Sequence, residues 1–150
     1  MANFCITLAT FDEHIKQAHH HLSFLTSIND NASVYDCIDW QVTVCFYAAL
    51  HLVNAHLAQF SLQYRTHTDA KHALNPEKTL SLSKIPDDEY KAYISLQMLS
   101  RRSRYLVNEK DGQIGAGQAV YTYEKHLAKA VRHLDRLISY FQTRYQLTLP

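Results

Sequence analysis

Residues 34–60 read VYDCIDWQVTVCFYAALHLVNAHLAQF. One apolar stripe in this stretch is Ile38, Val42, Cys45, Ala49 and Val53. A second is Trp40, Val44, Tyr47, His51 and Ala55. Each advances by three or four residues, the repeat of a single helix face. Two such stripes leave little polar circumference, which predicts the buried central helix of an all-α fold.

Three further segments repeat with the same period. Residues 11–28 carry Phe11, Ile15, Ala18, Leu22 and Leu25, and Thr10 with Glu13 forms a capping box at their start. A helix from about 87 to 108 opens on Asp87, Asp88 and Glu89, which suit its positive end, and carries Tyr93, Leu96, Leu99, Leu106 and Val107. A last helix over about 120–146 carries Tyr123, Leu127, Ala130, Leu134, Leu137 and Phe141. Period-two alternation is absent, so no sheet is predicted. The expectation is an antiparallel four-helix bundle in one domain spanning 1–150. The long connection 61–86 adds a short extra helical turn at His72 to Leu74, before Pro76.

Composition excludes several classes. Apolar residues are 47% and charged residues 19%, values of a globular chain rather than a disordered one. The net charge of +1 makes no global polycation, so charge alone does not predict nucleic-acid binding. The three cysteines, Cys5, Cys37 and Cys45, form no disulfide framework. Cys37 and Cys45 lie about 12 Å apart along one helix, too far to bond. Free thiols, no basic leader and no long apolar run predict a cytoplasmic protein without a membrane span.

The ten histidines show no metal-ligand pattern. His51 and His56 face opposite ways on a helix. His14 and His21 share a face but lie two turns apart, as do His126 and His133, which is too wide for one ion. No metal and no cofactor are expected. The glycines Gly112, Gly115 and Gly117 follow no strand and read as a helix connection.

Arginine is more informative. Arg101, Arg102 and Arg104 crowd the end of the third long helix, with Arg101, Arg104 and Asn108 on one face. They either cap the helix dipole or form a phosphate-binding face. Lys125, Lys129, Arg132 and Arg136 make a basic ridge on the last helix, a solvated face or a track for a phosphate backbone. Arg65 and His67, after Tyr64, set a cation beside a proton carrier in the long connection.

The run DWQVTVCFYAALHLVNAHL over 39–57 resembles the central helix of small bacterial HEPN-like proteins. Tyr64-Arg65-Thr66-His67 is similar to the Y-R-x-H element that follows it there. Tyr93, Leu96, Ser100, Arg101, Arg104 and Tyr105 resemble their third-helix element. The likeness covers roughly 35–110. It implies a helical bundle, often a homodimer, and an RNA- or nucleotide-handling protein. The activity it implies is that of a metal-independent endoribonuclease of a toxin or defence system, with a protein partner such as an antitoxin. That family's signature is R-x(4–6)-H, where arginine holds the scissile phosphate and histidine moves a proton. Here no histidine follows Arg101, Arg102 or Arg104 at that spacing, and the sixth residue after Arg102 is Asn108. Two readings stay open. In one, the catalytic groups are His51, His67 and Arg104, with Arg65, Arg101, Arg102, Asn108 and Tyr47 binding phosphate. In the other, the chain is a non-catalytic binding or dimerisation module.

Overall fold

The computed structural model describes residues 8–30, 37–107 and 120–150. Cys5, Asn108 and the three glycines lie outside them. The described residues form five helices and no strand: α1 (Phe11–Asp30), α2 (Ile38–Ala58), α3 (His67–Leu74), α4 (Asp87–Tyr105) and α5 (Glu124–Tyr145).

Local chemistry sets the helix ends. At α1, the Glu13 carboxylate accepts from the Thr10 N–H at 2.7 Å, and Thr10 Oγ1 accepts from the Glu13 N–H at 3.3 Å. This is the capping box the sequence predicts. At α3, Thr66 is extended, and its hydroxyl oxygen accepts from the Asp69 N–H at 3.1 Å. That cap starts a full two-turn helix at His67, where only a turn at 72–74 was expected.

The third and last long helices are shorter than their apolar repeats imply. Leu106 takes a left-handed conformation (φ 56°), and its N–H bonds back to the Arg102 carbonyl, so α4 stops at Tyr105. Leu106 and Val107 consequently lie beyond the helix and are exposed. Residues 120–123 are not helical. They run along the end of α4, where Val120 N–H bonds Leu106 O and Arg102 Nε bonds Tyr121 O, both at 2.9 Å. Tyr123 is therefore exposed rather than part of the α5 core stripe.

α2 packs on α1, α4 and α5. Its Val42, Phe46, Ala49, Leu52, Val53 and Leu57 are fully covered. They meet Ala18 and Leu22 of α1, Tyr93 and Leu96 of α4, and Leu134, Leu137 and Phe141 of α5 in one core. Cys45 is buried there, and burial, with the Asp135 charge, pushes its thiol up to about 12. The second stripe of α2 is only partly covered, however, and Trp40 at its start is 63% exposed.

His56 locks three segments together. It is fully buried, with Nε2 2.7 Å from the Ser83 carbonyl and Nδ1 2.7 Å from the Tyr145 hydroxyl. A carbonyl only accepts, so Nε2 carries the hydrogen and Nδ1 accepts from the tyrosine. The neutral ring satisfies both bonds. Burial is the main cause of its lowered pKa, with the Arg144 charge acting the same way and the Ser83 bond opposing them. No described helix is long and apolar enough to cross a membrane.

Candidate functional site

Trp40, Val44, Tyr47, Leu50, His51 and Asn54 are among the α2 residues that stay at least partly open. At the helical repeat these six fall on one arc, a partly exposed surface strip, the furrow. His14 and His21 of α1 lie against it. Arg104 of α4 lies over Tyr47, and His67, the first residue of α3, packs on the adjacent Phe46.

Tyr47 lies within this strip and is half-buried. The Arg104 guanidinium lies over its ring at 5.9 Å and over Tyr105 at 5.0 Å, a cation–π arrangement on two faces. Arg104 Nε also donates to the Oγ of fully buried Ser100 at 3.1 Å. The guanidinium is thus held from behind by the core and flanked by two aromatic rings. No carboxylate pairs with it among the described residues.

His67 packs edge-on against Phe46, with centroids 5.5 Å apart. Its pKa is lowered by partial burial first, and then by the Arg104, Lys71 and Arg101 charges. Those causes place three cations around one imidazole. Lys71 follows His67 by one helical turn on α3, so the short helix supplies both.

The His21 ring lies 6.2 Å from Tyr47 and stacks on His51 at 5.5 Å. His51 Nδ1 is 3.2 Å from His14 Nδ1. Burial, then the His14 and His21 charges, bring His51 down to about 4, so it is neutral at pH 7. Among the described residues, no three His, Cys, Asp or Glu side chains are placed to hold one metal ion.

Arg104 meets Tyr47, His51 follows Tyr47 by one turn of α2, and His67 lies within the electrostatic reach of Arg104 and Arg101. Arg102 does not join them. That side chain turns to the Tyr121 carbonyl and to His126, whose pKa it lowers after burial has done so. Arg65 is exposed just before the α3 cap. The basic ridge of α5 lies elsewhere, and its Arg136 faces Asp88 at 3.6 Å and Glu89 at 3.9 Å. His14, His21 and Lys71 are site neighbours that sequence reasoning missed. The seven-residue spacing of His14 and His21 was visible, but not that His51 fits between them.

Comparison with protein-family models, with curated proteins and with solved structures gives no match to this chain.

Proposed function

We propose that this chain is an RNA- or nucleotide-handling protein of HEPN-like type, and that the furrow receives a phosphodiester of single-stranded RNA. The supporting observation is the Arg104 guanidinium, braced by Ser100 and set between two tyrosine rings, with His67 inside its field. Guanidinium matches a phosphate's paired oxygens, and aromatic rings beside it accept stacked bases. The four long helices are read as an antiparallel bundle with α3 as an accessory helix. In a homodimer, two such furrows would meet.

A chain with these groups cleaves RNA without a metal by internal transfer. A neutral histidine, His51 or His67, takes the proton of the ribose 2′-hydroxyl. The 2′-oxygen attacks phosphorus, the bond to the 5′-oxygen breaks, and a protonated histidine returns a proton to that oxygen. The products are a 2′,3′-cyclic phosphate and a 5′-hydroxyl. Arg104 and Arg101 offset the charge of the pentacoordinate phosphorus. A bound phosphate also offsets the Arg104, Lys71 and Arg101 charges that lower His67 after burial has done so, which favours its protonated form.

A second reading, a non-catalytic binding module, draws on the same site. His51 near 4 is a weak base, and Asn108, which stands where the family places histidine, carries no titratable group. The test is cleavage and binding of a fluorescent single-stranded RNA in EDTA. Cleavage by wild type, lost roughly 100-fold in Arg104→Ala, supports the first reading. Binding without cleavage, weakened by Arg104→Ala, supports the second. Equal turnover by wild type and an Arg104→Ala, His51→Ala double variant overturns the first, and equal binding by the same pair overturns the second.

A further inference from the structure

The contact between His14 and His51 has no role in the scheme above. It joins α1 to α2 through two nitrogens of the same kind, Nδ1 to Nδ1 at 3.2 Å. The ring centroids lie 5.5 Å apart with planes at 35°, so the rings meet nitrogen to nitrogen rather than face to face. Such a contact holds only if one nitrogen carries a hydrogen and the other a lone pair. Each ring thereby fixes the tautomer of the other.

The surroundings restrict how many protons the pair can hold. Both rings are half-buried, and His21 stacks on the far face of His51 at 5.5 Å. The charged and titratable groups near the pair are Glu13 beside His14, His20 beside His21, and Tyr47 below His21, with Arg104 of α4 beyond Tyr47. Only Glu13 among them is anionic, and it is committed to the α1 cap. A single added proton is accommodated between the two nitrogens as a charge-assisted hydrogen bond, which is stronger than the neutral one. A second proton puts two N–H donors head to head with no anion between them.

We infer that His14 and His51 form a one-proton dyad, with His14 as the positioning partner that sets the tautomer of His51 and directs its Nε2 toward the furrow. When His51 donates Nδ1–H to His14, its Nε2 presents a lone pair to the furrow. A proton taken at Nε2 is balanced by movement of the Nδ1 proton across the 3.2 Å contact to His14. The charge then rests on α1, and His51 is neutral again. The catalytic meaning of this relay rests on the proposed function, whereas the dyad itself rests only on the α1–α2 contact.

The experiment is imidazole ¹⁵N NMR of the full chain from pH 8 down to pH 3, on wild type, His14→Phe and His14→Gln. The dyad gives two fixed tautomers at neutral pH and two separated titration steps shared by His14 and His51. In His14→Phe, His51 loses its fixed tautomer and titrates in one step. In His14→Gln, the amide still bonds Nδ1 and the tautomer persists. Cleavage of the same RNA is followed in parallel. There kcat falls roughly tenfold or more in His14→Phe, KM is unchanged, the acid limb of the pH profile moves, and His14→Gln recovers part of the rate. Independent single-step titrations in wild type, or an identical His51 tautomer in wild type and His14→Phe, overturn the dyad. Coupled titrations with no cleavage by any variant leave the dyad standing and overturn the ribonuclease reading. If His14→Phe does not fold, the wild-type titration and His14→Gln still decide.

Discussion

Replacing His56 with alanine is the sharpest test of how this fold is held. The ring makes two 2.7 Å hydrogen bonds and packs beside Phe60 at 5.2 Å and Phe141 at 5.6 Å. Ser83 is fully buried, so its carbonyl loses this donor with little access to water, a cost of about 1–3 kcal/mol. The Tyr145 hydroxyl loses less, because it is only half-buried and also accepts from Arg144 Nε at 3.3 Å. The hole left among aromatic rings adds about 1–2 kcal/mol. The expected loss is roughly 3–5 kcal/mol, which in a chain of this size lowers Tm by on the order of 10 °C. Tyr145→Phe, which removes one bond and keeps the packing, costs about 1 kcal/mol. Urea denaturation at pH 7.5, with thermal melts by circular dichroism, measures both. A His56→Ala loss below about 1 kcal/mol, or one no larger than that of Tyr145→Phe, refutes the argument that a buried neutral histidine ties α2 to the 83 region and to α5.

Acid weakens the fold through its histidines. His14, His21, His51 and His56 all have lowered pKa values, His51 to about 4, so the unfolded chain binds protons that the folded chain refuses. Stability is therefore complete above the ordinary histidine value of 6.5 and falls as pH drops toward 4, and a Tm that is flat or rising from pH 7 to pH 4.5 contradicts this. Iodoacetamide labelling read by mass spectrometry modifies half-buried Cys37 in the native protein and reaches buried Cys45 only on unfolding; native labelling of Cys45 contradicts its placement. Gln146→Gly stabilises by about 0.5–1 kcal/mol, because Gln146 closes α5 at φ 53° while exposed, and a loss in denaturation midpoint would contradict that.

The α2 stripe of Val42, Cys45, Ala49 and Val53 is readable in advance because full burial leaves a one-dimensional pattern. The Thr10–Glu13 box is readable for the same reason, since both partners lie within four residues. The limits of the reading are equally physical. Leu106 and Val107 continue the apolar repeat of α4, but a left-handed residue ends the helix before they reach the core. The α3 cap stands in the sequence as Thr66-His67-Thr68-Asp69, but the helix it starts has too few apolar residues to show a periodic stripe. Arg102 and Arg104 look equivalent in sequence, yet one turns to a backbone carbonyl and the other to Tyr47. The helical repeat separates their faces, but that segment 120–123 covers the Arg102 side is set by tertiary packing, and no local rule supplies that. The histidine contacts required the register of α1 against α2, information that exists only once the helices are packed.

The furrow is the outer arc of the helix whose inner faces make the core. Tyr47 and His51 stand on the same backbone as Phe46 and Leu52, so they cannot be displaced without opening the interior. Under the proposed function, a ligand meets Tyr47 and His51 on a helix already packed in the core, so more of the entropy of ordering falls on the ligand. Flexible single strands pay that cost residue by residue, whereas a short or constrained oligonucleotide escapes most of it. Under the proposed function, affinity for RNA is expected to saturate after a few nucleotides rather than grow with strand length.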